Sequence, residues 1–294
     1  MRTAFFAITC VALSSAVAAQ TSARVNLPAE SLPGAIVRLS VEGPKAGGDT
    51  IVSVSGQMSG EPLHFHRSTG GAWHAIGAVS PDAKEEAVAR VVAELASGRA
   101  DTISASTKLP KVRASSGHRR ALAVSMRFTQ PLDSATQARI DRENATAREI
   151  GRKSHANPQL WTAQFLRPRN ATITSPFGSG RMFNGTLTSR HLGVDFRGKT
   201  GEPILAANRG VVALVDNFFL AGNVVYLDHG DGVVTAYFHM SKTLVIAGDT
   251  VERGQTIGLI GATGRVTGPH LHWSARYGAL TVNPLDLIAL GKGW

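Results

Sequence analysis

Hydrophobic and polar positions along the chain fall into distinct regimes. Residues 1–19 (MRTAFFAITCVALSSAVAA) carry an uncharged apolar run from Ala4 to Leu13, behind Arg2 and ahead of the small-residue pattern Ala16-Val17-Ala18. This predicts a signal peptide cleaved near Ala18 or Ala19. From about residue 30 to 110, short β-branched runs alternate apolar and polar. Ala35 to Val41 and Thr50 to Ser55 are examples, separated by turn residues at Gly43-Pro44 and Gly47-Gly48-Asp49. Short strands punctuated this way predict a small β-sandwich. Residues 82–96 fit two periods. Val88, Val91, Val92 and Leu95 form a helical stripe, which propensity favours, while 87–91 also reads as a strand. Pro131 precedes a predicted helix over 134–150, with Asp133 as its cap. From about residue 160 glycine becomes frequent, and apolar runs such as Val211–Val215, Val224–Leu227, Val233–Phe238 and Thr256–Ile260 alternate with turns. These predict a second all-β unit with tight hairpins. The expected division is a signal peptide (1–19), a β-rich domain (20–130), a helical connector (131–159) and a C-terminal domain (160–294).

Composition narrows the possibilities. The chain has 294 residues and one cysteine, Cys10, which lies inside the predicted leader. A mature exported protein would then hold together without disulfides, and any cysteine-based metal site is excluded. The formal net charge is +10, and removal of the leader takes away only Arg2. Much of the excess sits in residues 108–153, with eleven Lys/Arg against four acids. Phe128 is the one aromatic residue in that stretch, so the stacking platform of a nucleic-acid binder is missing. A solvated connector with no specific nucleic-acid partner is the expectation. No later run approaches the roughly 20 apolar residues of a membrane span.

Three segments carry candidate chemistry: His191-Leu192-Gly193-Val194-Asp195, Tyr237-Phe238-His239 and His270-Leu271-His272. On a strand His270 and His272 share one face while Leu271 enters the core. By the same alternation Tyr237 and His239 share a face and Phe238 takes the core side. His191 and Asp195 would be roughly 13 Å apart if fully extended, and Gly193 supplies the bend that brings both to one ion. Nitrogen and oxygen donors without sulfur suit a catalytic zinc, with two His, one carboxylate and a fourth position for water. Four histidines exceed what one such ion uses, so the surplus serves proton transfer or transition-state stabilisation. The chain has no His-Glu-x-x-His, which excludes the helical zinc-protease arrangement.

Together, HLGVD (191–195), YFH (237–239) and HLH (270–272) resemble the lysostaphin/LytM-type zinc endopeptidases, metallopeptidase family 23. The intervening PFGSGR (176–181), the run 248–273 and VNP (282–284) match as well, so the resemblance covers roughly 161–287. It implies a C-terminal antiparallel β-sheet peptidase domain of barrel-sandwich hybrid type, and, more loosely, an Ig-like sandwich before it in which 87–95 is a strand. It implies His191, Asp195 and His272 as ligands of one Zn²⁺ per chain, and His239 and His270 as the catalytic pair. The implied activity is hydrolysis of peptide cross-links in bacterial peptidoglycan by a protein exported to the periplasm or cell envelope, or secreted. Some relatives lose zinc ligands and act as wall-binding or amidase-activating modules; every ligand is retained here.

Several other residues are weighed against blander readings. His64-Phe65-His66, with His74 and Glu61 nearby, is expected to be exposed strand rather than a metal site. His229 is expected to serve a hairpin turn. Arg265 and Arg276 flank the HLH strand and are candidates to meet an anionic substrate group. Asn184 is given no role, and Trp161 and Trp273 are expected to pack.

Overall fold

The computed structural model describes residues 22–44, 49–110, 120–128, 131–185 and 187–291. The predicted signal peptide, with Cys10, lies outside these residues. The chain is mostly β, and almost every strand pair is antiparallel.

Two four-stranded sheets form the N-terminal sandwich. One has the order Arg24–Asn26, Ile36–Glu42, Trp73–Ala78, His66–Arg67; the other runs Glu61–Pro62, Ile51–Met58, Glu86–Leu95, Ala100–Lys108. Residues 86–95 settle as a strand because burial alternates along them. Ala87, Ala89, Val91, Ala93 and Leu95 all face the sandwich core. The helical stripe would have placed Val88 and Val92 inside instead; both are only half-buried.

The helix Ser134–Ser154 is capped by Asp133, whose carboxylate accepts from the Thr136 amide at 2.6 Å. It is not a freely solvated connector. Ala147 packs with Phe218, Val224, Tyr226, Val234 and Ala236 against the outer face of the large sheet. Asp228 anchors the helix end by accepting from Ser154 and Asn157.

The large sheet has ten strands. Its main path runs Ile173–Ser175, Val194–Arg197, His270–Tyr277, Val233–Thr243, Gly222–Asp228, Gly210–Phe218, Thr250–Val251. Among the described residues this path does not close into a barrel. A separate three-stranded sheet, Leu187–Arg190, Gly180–Phe183 and Arg120–Leu122, joins residues just after the sandwich to the segment preceding His191. Asn184 secures that junction by exchanging hydrogen bonds with the Val124 backbone at 3.0 and 2.9 Å.

The sandwich and the large sheet share a polar seam. Asn283 donates its amide to Gly34, and Tyr277 donates its hydroxyl to Pro62. Glu61 and His64 sit in this seam rather than on a solvated strand face, while His66 is exposed on the strand His66–Arg67 as expected and reaches the seam through its ring. His155 bridges Glu61 (3.0 Å) and His64 (2.8 Å), and His66 meets Asp231 at 2.5 Å. The sequence pattern missed this because the partners, His155 and Asp231, lie far along the chain. The Asp231 contact raises the His66 pKa against the opposing effect of burial, whereas burial lowers that of His64.

Candidate metal and catalytic site

The site lies at one end of the ladder between Val194–Arg197 and His270–Tyr277. The register pairs Asp195 with His272 and Val194 with Trp273. Leu271 and Trp273 are fully buried on the core side, so alternation turns His270 and His272 the other way. His191 reaches the same spot from the turn before Val194. Gly193 is required there, since a Cβ would sit 2.4 Å from His272 Nε2 and 2.7 Å from the Trp273 carbonyl oxygen.

Three donor atoms converge. His191 Nε2 lies 3.0 Å from His272 Nδ1 and 3.0 Å from Asp195 Oδ1, and the last two are 2.8 Å apart. A tetrahedral ion with bonds of about 2.0–2.1 Å has edges of about 3.3 Å, so this triangle is close to one face of such a polyhedron. The protonation pattern adds a second test. His191 Nδ1 donates to the Pro176 carbonyl at 2.9 Å, which leaves Nε2 of the neutral ring as a lone pair. That nitrogen faces Asp195 Oδ1 and His272 Nδ1, the arrangement in which three donor atoms can share one cation. Burial pushes His272 down to about 4, against the pull of Asp195, so it stays a neutral donor. Burial also raises Asp195, but the imidazoles of His191 and His272 outweigh it and hold the carboxyl well below the usual range. Two imidazole nitrogens and a carboxylate oxygen fit a borderline-soft divalent ion.

His239 and His270 flank this trio, with ring centroids 5.0 Å apart. His239 Nδ1 donates to the Thr263 carbonyl and His270 Nδ1 to the Gly268 carbonyl, each at 2.8 Å. Both Nε2 atoms are thereby left as acceptors. Burial, reinforced by His270 and His272, holds the His239 pKa well below that of a free imidazole. The alternation expected for 237–239 fails. His239 adopts φ +62°, a left-handed conformation costly for a non-glycine residue. Tyr237 is therefore fully buried in the main core, and Phe238 lies on the cleft side, stacked on His272 with centroids 5.1 Å apart.

Sequence reasoning missed Arg181. It donates to Asp195 Oδ2, the oxygen turned away from the imidazoles, and to Ser175 at 3.3 Å. The GSGR run ahead of His191 was its only signal. Two cavities adjoin the trio, of about 210 Å³ on the His270 side and about 300 Å³ on the His239 side. Arg181, Phe183 and Arg265 line both and separate them. Arg276 bonds Thr281 and the Ala279 carbonyl, and His229 is buried against Arg209 and Thr235. Trp161 and Trp273 pack in the core.

An open antiparallel sheet that gathers a His–Asp–His trio and two further imidazoles defines a metallopeptidase type of domain. Residues 189–284 match the model of Peptidase family M23, so this part of the chain carries an M23 peptidase domain. It is similar to the peptidoglycan DD-endopeptidase ShyA of Vibrio cholerae, 46% identical over 102 residues, 34% of this chain and 24% of ShyA. The DD-carboxypeptidase/endopeptidase Mpg of Neisseria meningitidis is 40% identical over 116 residues, 39% of this chain and 26% of Mpg. The chain thus spans about a quarter of the length of these relatives. A crystal structure from Pseudomonas aeruginosa, assigned as a peptidase M23, superposes with a TM-score of 0.64 at 25% identity, covering 87% of this chain and 94% of that one.

Proposed function

We propose that this protein is an exported zinc endopeptidase that hydrolyses peptide cross-links of peptidoglycan, with residues 160–294 as the peptidase domain, 131–159 as a connector and 20–130 as an accessory β-domain. The observation that carries the reading is the convergence of the His191, Asp195 and His272 donor atoms beside two imidazoles whose Nε2 atoms are free to accept protons. The named activities of ShyA and Mpg point to D–D amide bonds as the target. No helix among the described residues is long and apolar enough to cross a membrane.

In this reading His191 Nε2, Asp195 Oδ1 and His272 Nδ1 hold the zinc. When bound, zinc supplies a Lewis acid that polarises the scissile carbonyl and acidifies the attacking water. His270, half-buried with Nδ1 tied to Gly268, receives a proton at Nε2. His239, fixed through Thr263 with its own Nε2 open, would relay that proton to the leaving amine on the other side of the scissile bond, so both imidazoles end as they began. Arg181 orients Asp195 so that one oxygen serves the ion and the other the guanidinium.

Purified protein incubated with sacculi tests the reading. About one zinc per chain, release of peptide fragments and loss of release in chelator are expected. Zinc-loaded protein that cuts no wall type refutes it. The competing reading, a wall-binding or amidase-activating module, requires sacculus binding without hydrolysis that persists in His239→Ala.

A further inference from the structure

The 210 Å³ cavity beside the metal trio has an uneven charge inventory. Arg181, Arg197 and Arg265 line it, and Asp195 is the one acid among its described lining residues. Asp195 is committed twice, through Oδ1 to the imidazoles and through Oδ2 to Arg181. Arg265 is held in place by an aromatic face, its guanidinium carbon 4.2 Å from the Phe183 ring centroid. Stacking of this kind leaves the rim of the fork, with its N–H donors, free to point at a ligand. Burial first, and then the neighbouring Arg181, lower the Arg265 pKa, the signature of a cation held where it lacks compensation. His270 lines the same cavity, and Arg197 is its register partner on the neighbouring strand, so a ligand group seated among the arginines lies beside a residue of the catalytic pair.

We propose that Arg265, with Arg197 and Arg181, forms a carboxylate-binding subsite that selects substrates bearing a carboxylate on the residue that contributes the scissile nitrogen. The proposal rests on the hydrolase reading above. In an amide between two D-centres the scissile nitrogen is bonded to a carbon that carries a carboxylate, unless that carboxylate is amidated or extended. The planar carboxylate matches the guanidinium fork in two-point geometry, which a neutral carboxamide cannot reproduce. Such a carboxylate has two sources: a chain-terminal D-Ala, or the diamino acid that accepts a cross-link. Both present the same group at the same distance from the bond.

Isothermal titration calorimetry on the full-length zinc-loaded chain tests this, in a His239→Ala background that suppresses turnover. Two probe pairs are used: an N-acetylated peptide ending in D-Ala-D-Ala, as free acid and as carboxamide, and a purified cross-linked muropeptide dimer with its acceptor carboxylate free or amidated. The free acid of at least one pair is expected to bind about 10- to 100-fold more tightly than its amide. Arg265→Gln abolishes that preference, Arg265→Lys restores part of it, and Arg197→Gln, at an exposed position, weakens it without affecting folding. Arg209→Gln, which removes a distant surface cation, leaves it unchanged. Loss of preference in the terminal pair alone assigns the subsite to a terminal D-Ala, and loss in the dimer pair assigns it to cross-links. A preference that survives in both Arg265→Gln and Arg197→Gln overturns the proposal, as does a wild-type chain that binds acid and amide equally. Binding of none of the four probes by a chain that still releases peptides from sacculi overturns the proposal alone, whereas a zinc-loaded chain that cuts no wall type overturns the hydrolase reading.

Discussion

Replacing Gly193 with alanine gives a sharp test of how tightly the metal site is built. The added Cβ would lie 2.4 Å from His272 Nε2, 2.6 Å from Cε1 and 2.7 Å from the Trp273 carbonyl oxygen, whereas ordinary contact begins near 3.4 Å. Relief needs a movement of about 1 Å. Neither obstacle is the free end of a flexible side chain: the His272 ring is stacked on Phe238, and the Trp273 oxygen belongs to a central strand. Overpacking of this kind costs about 1–3 kcal/mol. Ligand distances tolerate about 0.2 Å, so a 1 Å shift of His272 takes Nδ1 out of coordination. Zinc affinity should fall by at least about tenfold, the scale seen when groups that orient ligands are lost. Competition against a chromophoric chelator measures the affinity, and thermal melts with and without zinc measure the stability. Gly268→Ala is the control, since a Cβ there meets nothing within 4 Å. Wild-type zinc affinity in Gly193→Ala, or an equal loss in Gly268→Ala, refutes the steric argument.

His239→Ala and His270→Ala should each retain zinc while cleavage of sacculi falls by about 10²–10⁴-fold; loss of metal from either would move that histidine into the ligand set. The His66 pKa is raised on folding, so its contribution is complete below the free-imidazole value of about 6.5 and fades as pH rises through the raised value. The melting-temperature gap between wild type and His66→Gln should therefore be wider at pH 5.5 than at pH 8.5, and a gap independent of pH would contradict the Asp231 contact. Asn283 caps the short helix Pro284–Ala289 by accepting from the Leu285 amide at 3.2 Å. Asn283→Ala should cost about 1 kcal/mol in denaturant unfolding, and an unchanged midpoint would count against the cap.

Local pattern carried much of the fold, and non-local pairing hid the rest. The strand period in 270–272 was enough to place Leu271 inward and the two histidines outward, because a fully buried central strand enforces strict alternation. The same rule failed at His239, the seventh residue of the strand Val233–Thr243, where positive φ breaks the period; nothing in Tyr-Phe-His announces that. Residues 86–95 show the opposite case. Alanine-rich sequence favoured helix, but pairing with Ile51–Met58 and Ala100–Lys108 on either side imposed a strand. The seam of Glu61, His64, His66, His155 and Asp231 was illegible because bonded members such as His66 and Asp231 are 165 residues apart and carry no common motif. Arg181 was hidden for a similar reason: its meaning depends on a short sheet that places it over Asp195.

The metal trio joins Asp195 and His272, 77 positions apart on two hydrogen-bonded strands, with His191 from the turn before the first of them. A nascent or truncated chain that stops before residue 270 has two of the three donors and no ladder to align them. Under the proposed function, metal capture is therefore a late event in biogenesis, a signal that the last long strand has been laid beside Val194–Arg197. Synthesis, translocation or proteolysis that halts short of that point yields an inert polypeptide.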